Sequence, residues 1–262
     1  MIHPTAIIHP KAQLDSSVRV GPYAVIDEHV TLGADCCIGP HVYITGQTRI
    51  GPDNHFHAGC VIGDAPQDLK YRNEPTRLVM GSNNVFREHT TVHRSNKVDE
   101  DTTIGSNCFL MANCHVGHNS HLGSSIVIAN GALIAGHVEI GDRAFISGNC
   151  LIHQFARVGT LALMQGGAAI SKDLPPFTIA RGDNGICGLN IIGLRRAGVG
   201  AADRLELKQL YHLLFRNQGK LSSAITEARL KFTSATSRLV IDFVCDAKRG
   251  VCADTGLASD KE

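Results

Sequence analysis

The chain has 262 residues, 43% of them hydrophobic and 19% charged, with no low-complexity block, a composition of folded globular proteins rather than disordered ones. Its formal charge is +1, it has no Trp, and it carries no Lys/Arg run, so it offers neither a basic groove nor an aromatic ladder for nucleic acid. A repeat starts at Ile2, and the most apolar stretch, 126–138, is broken by Asn130, Gly131 and His137, so no signal peptide, membrane span or stable membrane insertion is expected.

From Ile2 to Ile170 every sixth residue is Ile, Leu, Val, Met or Phe at 27 of 29 positions, and only Asp68 and Glu74 break the run. Four places later a small residue is preferred, as at Ala6, Ala12, Val18 and Ala24. A period of six fits neither a helix nor a simple strand. It fits a short strand plus a corner, three of which close one coil of 18 residues. Stacked coils bury apolar rows that no hexad could bury alone. The predicted architecture is mainly β: a parallel β-helix over 1–175, with 63–78 and 94–103 extruded as loops. The first of these, with Gln67, Asp68, Lys70 and Tyr71, is a candidate ligand clamp. Pro175-Pro176 is expected to end strand pairing. Residues 176–262 then form a C-terminal α-helical domain. Leu205, Leu207, Leu210, Leu213 and Leu214 mark one helical face, 221–232 and 237–247 are two further amphipathic stretches, and the tail from Val251 is expected to fray.

Nine cysteines contain no CxxC pair, and Cys36, Cys60, Cys108, Cys114 and Cys150 occupy the small position of a hexad. They read as inert buried thiols in a reducing cytoplasm. Residues 171–262 hold 14 Lys+Arg against 10 Asp+Glu, and residues 1–170 hold 11 against 14. The positive tail suits a phosphorylated ligand or an acidic partner protein as well as ordinary solvated helix faces.

Six of the 14 histidines (His93, His115, His118, His121, His137 and His153) lie in the middle and later coils. Residues 18 apart sit one strand spacing of ~4.8 Å from each other, so His118, Gly136 and Gln154 form a column with His137 and His153 beside it. A neutral imidazole there can take the proton from a hydroxyl or amine attacking a thioester, and a glycine amide one coil above can stabilise the oxyanion. Exposed corner histidines on a non-catalytic solenoid binding module are the bland alternative. A metal site like that of the γ-class carbonic anhydrases needs a ligand spacing that His115, His118, His121 and His137 do not reproduce.

The segments Gln67-Asp68-Leu69-Lys70-Tyr71, His115-Val116-Gly117-His118, Ala135-Gly136-His137-Val138, His153-Gln154-Phe155, Asp173-Leu174-Pro175-Pro176 and 190–196 closely resemble the acyl-carrier-protein:UDP-N-acetylglucosamine O-acyltransferases, which begin lipid A synthesis. The resemblance spans nearly the whole chain. It implies a left-handed coil and a cytoplasmic homotrimer with sites between adjacent solenoids. It also implies transfer of an (R)-3-hydroxyacyl chain from acyl carrier protein to the 3-hydroxyl of UDP-N-acetylglucosamine, with no cofactor and no metal. By the same resemblance His118 is the general base, Asn119 its neighbour and Gly136 the oxyanion donor. Gln67, Asp68, Lys70, His115, His137 and Gln154 surround the sugar and phosphates, and Asn190 and Arg196 contact the nucleotide. His153 and Gly166 belong to the acyl groove, where a residue without a side chain at 166 implies a long acyl chain.

Well-known members place Asp directly after the catalytic histidine, but this chain has Asn119, whose amide lacks the negative charge, so a weaker base is expected. Ile192 and Ala197 also depart from the family pattern. The sister N-acyltransferases have His-Asn at this place together with an N-terminal uridine-binding domain, which a repeat starting at Ile2 does not provide. An N-acyltransferase, or a member acting on a 3-amino sugar, is therefore the alternative within the superfamily.

Overall fold

The computed structural model describes residues 1–217 and 219–256. Strands mostly two residues long stack as three parallel sheets forming the sides of a prism. The first side has nine strands, beginning with Ile7–Ile8, Val25–Ile26 and Tyr43–Ile44; the second has eight, beginning with Gln13–Leu14 and Thr31–Leu32. The third has eleven and contains Arg19–Val20, Phe145–Ile146 and Leu163–Met164. Pairings such as Ile7↔Val25, His121↔Glu139 and Phe145↔Leu163 connect residues 18 apart, as the hexad period requires. The apolar row points inward: Ile44, Ile62, Val92, Val116 and Ile134 are completely buried. Cys36, Cys60, Cys108, Cys114 and Cys150 are free thiols buried in the same core. Burial pushes Cys60 up to about 12 and Cys114 up to about 11, far from nucleophilic thiolates.

Two insertions interrupt the coils. Val61 pairs with Thr91, 30 residues on, so that coil holds 12 extra residues, placed between the strands Val61–Asp64 and Arg77–Met80. Arg77 pairs with Asp101, 24 residues on, so the next holds six, placed between Thr91–His93 and Asp101–Ile104. Both lengths are multiples of six, and the apolar phase therefore runs straight through them. Asp68 and Glu74 lie in the first insertion. Val98 lies in the second, keeps the phase, and is nevertheless 49% exposed, whereas Ile104, the next in phase, is buried.

Beyond the coils, helices α1 (Ile191–Arg196), α2 (Ala201–Tyr211), α3 (Leu221–Lys231) and α4 (Ala235–Cys245) form a second core from Leu194, Leu207, Leu210, Leu214, Phe232 and Ile241, with Phe177 of the last coil included. Helix α2 continues into one π-helical turn, His212–Arg216. Leu205 departs from the expected face and is exposed.

Two expectations about this region are corrected. Pairing does not stop at Pro175-Pro176: Thr178–Arg181 continues the third side beside Leu163–Met164 and turns back as an antiparallel strand, Gly185–Leu189. The prolines stand at a corner, where Gly159 N–H donates to Leu174 O and Phe177 N–H to Thr160 O, so no ladder bond asks for their missing N–H groups. The tail does not fray at Val251 either. Cys252 is buried, Ala253–Asp254 pairs with Gly185-Ile186, and Asp254 accepts from Arg216 at 2.7 Å. Fraying beyond that point falls on 257–262, outside the described residues.

Phase and burial part company at Val98, which gives a direct test of the insertion. Ile104→Ala is expected to cost about 2–5 kcal/mol of unfolding free energy, and Val98→Ala less than about 0.5 kcal/mol. Urea unfolding of both variants measures it, and equal losses contradict the assignment.

Candidate active site

His118 and Asn119 form the corner between the first-side strand His115–Val116 and the second-side strand His121–Leu122. Asn119 adopts φ 57°, a left-handed turn that asparagine tolerates better than most residues. One coil on, His137 N–H donates to His118 O at 2.8 Å, and Phe155 N–H donates to Gly136 O. The column thus holds His118 under Gly136 under Gln154. A Cβ added at Gly136 would lie 2.7 Å from His118 Nε2, so the close approach of ring and backbone depends on that glycine. The Gly136 N–H donates to no other group among the described residues.

Hydrogen-bond chemistry fixes the tautomer of His118. Asn119 Nδ2 lies 2.8 Å from Glu100 Oε2, which can only accept, and Asn119 Oδ1 lies 2.9 Å from the Asn96 backbone N–H, which can only donate. The amide orientation is therefore set. Its Oδ1 also meets His118 Nδ1 at 2.9 Å, so that nitrogen carries the proton and Nε2 keeps a free lone pair. His118 and Asn119 are both buried, Asn119 to 1% exposure. Ser95 Oγ takes the other amide proton at 2.7 Å, and Thr102 Oγ1 accepts from the Asn119 backbone N–H. Sequence reasoning missed Ser95, Asn96, Glu100 and Thr102, although the charge-rich 94–103 segment that holds them was singled out.

A groove of about 810 Å³ opens beside this corner along the first side. Of the predicted residues it collects Gln67, His115, His118, Gly136, His153 and Gln154, with apolar walls from Leu133, Leu151 and Ala169. The 65–76 insertion leans over it. Asp68 Oδ2 accepts from Asn96 Nδ2 at 2.7 Å and its Oδ1 from Lys70 N–H at 2.9 Å, and these two bonds, the backbone one first, hold its carboxyl below the usual range. Lys70 itself is exposed. His137 meets the His118 ring edge-on at 5.1 Å and stacks on Phe155 at 4.6 Å. Among the described residues no three or more His, Cys, Asp or Glu groups converge as metal ligands.

Comparison with known proteins supplies the family. A profile described as Udp N-acetylglucosamine O-acyltransferase, Domain 2, matches residues 173–252, and one for the bacterial transferase hexapeptide matches 11–46, 29–64 and 101–136. The acyl-carrier-protein:UDP-N-acetylglucosamine O-acyltransferase of Paraburkholderia phymatum is 44% identical over 95% of this chain and 98% of its own length. The chain belongs to this O-acyltransferase family. Solved relatives agree: LpxA from Acinetobacter baumannii superposes with TM-score 0.92 at 37% identity over 95% of this chain and 98% of that one. The UDP-N-acetylglucosamine acyltransferase of Francisella novicida gives 0.93 at 30% identity over the whole of both chains.

Of the positions carried over from the O-acyltransferase family, Asp68, Lys70, His137 and Gly166 do not line the His118 groove, and Asn190 and Arg196 lie well away from it. Asn190 and Arg196 line a separate groove of about 1160 Å³ beside the third side, with Arg143, Phe145 and Gln165. Asn190 is the N-cap of α1: its Oδ1 accepts from Gly193 N–H and its Nδ2 donates to Leu161 O, both at 2.9 Å. Arg196 is exposed. Gly166 sits at the corner leading from Leu163–Met164 to Ala169–Ile170, where an added Cβ would meet only Gly148 O at 3.6 Å.

Three histidines around this corner, His93, His115 and His137, are shifted toward the neutral form. Burial lowers His115 from 6.5 to about 4, with His93 and His118 adding repulsion, and burial also lowers His93 and His137. The unfolded chain binds a proton at residue 115 near pH 6.5 while the native chain resists until about 4. Stability contributed by this neutral site is therefore present above pH 6.5, falls as pH drops through the window, and levels off below 4. His115→Gln is expected to flatten that fall by at most about 3 kcal/mol. Denaturant melts at several pH values measure it, and parallel wild-type and variant curves contradict it.

Proposed function

We propose that His118 is the general base of an acyl transfer from a carrier-protein thioester to the 3-hydroxyl of UDP-N-acetylglucosamine, the first step of lipid A synthesis. The observation that carries this reading is the free Nε2 of His118 at the mouth of an apolar-walled groove, directly beneath the Gly136 amide. His118 Nε2 takes the hydroxyl proton as the oxygen attacks the thioester carbonyl. The Gly136 N–H then lies near the developing oxyanion. Collapse of the tetrahedral species expels the carrier thiolate, which takes the proton back from the imidazolium, so the base is regenerated and no cofactor enters the balance.

Neutral His93, His115 and His137 can donate and accept around a sugar without adding fixed positive charge beside the forming imidazolium. Gln67 lines the groove, and in this reading it contacts the acceptor together with Asp68 and Lys70 of the same insertion. The nucleotide contacts need another chain: Arg196 lies beside the third side, so it serves the His118 groove of a neighbouring solenoid in a cytoplasmic homotrimer, and Asn190 contributes by fixing the start of α1. Leu133 and Leu151, 46% and 48% exposed, then face the acyl chain with His153. The open space at Gly166 favours a long hydroxyacyl donor.

Incubating the protein with UDP-N-acetylglucosamine and a series of hydroxyacyl carrier proteins, with products identified by mass and linkage, tests the reading. An ester at the 3-position with the longer donors is expected, and His118→Ala should lower turnover about 10²–10⁴-fold with the fold intact. An N-acylated product, or unchanged turnover in the variant, contradicts it.

A further inference from the structure

We infer that Glu100 is a positioning residue for this transfer, supplying through Asn119 the negative charge that an Asp directly after the histidine supplies in well-known members of the family. The inference rests on His118 being the base. The six-residue insertion folds back over the His118 corner, burying Ser95 completely and bringing the Asn96 N–H and Glu100 Oε2 onto opposite ends of the Asn119 amide at 2.9 and 2.8 Å. The result is a continuous chain: His118 Nδ1–H to Asn119 Oδ1, then Asn119 Nδ2–H to the Glu100 carboxylate. An amide whose N–H donates to an anion is polarised, and its oxygen becomes the stronger acceptor. As Nε2 takes the substrate proton, the growing positive charge on the ring meets that oxygen and, one amide away, a full negative charge.

The surrounding charges are compatible with this role. The other Glu100 oxygen, Oε1, accepts from Lys97 Nζ at 2.6 Å at the solvent-facing end, where the Lys97 side chain is 51% exposed and screened. His137 Nδ1 lies 3.9 Å from Oε2 and burial shifts that ring toward its neutral form, while the Asp68 carboxylate of the other insertion is bonded to Asn96. Lys97 and Asn119 both hold the Glu100 carboxyl below its usual range, Lys97 more strongly, so it is ionised at neutral pH. Asn119 also departs from the usual Asp for a stated reason: a second carboxylate 2.8 Å from Glu100 would repel it.

Moving the charge between the two positions separates this role from a structural one. Glu100→Gln keeps an oxygen for Asn119 while removing the charge and the exposed bond from Lys97, so kcat should fall about 10- to 100-fold with the KM for the UDP-sugar changed less than about threefold. Asn119→Asp alone should also lose turnover, because the two carboxylates face each other. The double variant Asn119→Asp/Glu100→Gln should recover to within about threefold of wild type, the Gln amide now donating to the Asp. If His118→Ala retains wild-type turnover, the base reading fails and this inference fails with it. If His118→Ala is inactive but Glu100→Gln keeps kcat within about twofold, or the double variant is no better than the worse single one, only the role of Glu100 is overturned.

Discussion

Parallel stacking of residue i on residue i+18 is the constraint from which the site follows. A backbone bond from His137 N–H to His118 O fixes one coil on the next, and that register puts a glycine amide over an imidazole without any side chain having to reach. Because each rung is anchored by the buried Ile and Val rows on either side, the ring and the amide belong to a rigid lattice rather than to mobile loops. The close approach requires glycine at 136, and a second glycine, Gly117, sits where a Cβ would lie 2.6 Å from Gly136 N. The solenoid is therefore the means by which groups distant in sequence are held at hydrogen-bond separation.

The two insertions complete what the lattice begins. Each adds a multiple of six residues, so the coil resumes in phase and the prism continues undisturbed, while the extra chain is free to fold over one corner. The first brings Gln67 to the groove, and the second encloses Asn119 with Ser95, Asn96 and Glu100. They are joined to each other by Asn96 Nδ2 donating to Asp68 Oδ2, which ties the insertion holding Gln67 to the one that encloses Asn119.

Much of this was legible in the sequence, for physical reasons that differ from residue to residue. The three-sided parallel coil follows from the hexad period, and the His118–Gly136–Gln154 column follows from simple addition of 18 within uninterrupted coils. The segment 94–103 is legible as an extruded loop, but the contacts of Glu100 and Asn96 are not, because residues outside the 18-residue stacking have no register that relates them to Asn119. The strand after Pro175-Pro176 was missed because proline's lost donor was counted against the ladder, whereas both prolines occupy a corner that needs none. Asn190 was read as a nucleotide contact from resemblance, and its side chain is engaged in capping α1. The hand of the coil is not carried by periodicity at all.

The expectation of a weaker base at His118 rested on Asn119 considered alone. In place, that amide is buried, oriented from both ends, and bonded to an ionised carboxylate, the charge inferred above to stand in for an Asp at 119. A crystal structure of the protein with UDP-N-acetylglucosamine bound tests the central claim most directly. The account predicts the sugar 3-oxygen within about 3.2 Å of His118 Nε2, on the groove side of the Gly136 amide. A 3-oxygen lying on another face of the prism, or facing a different side chain, would contradict it.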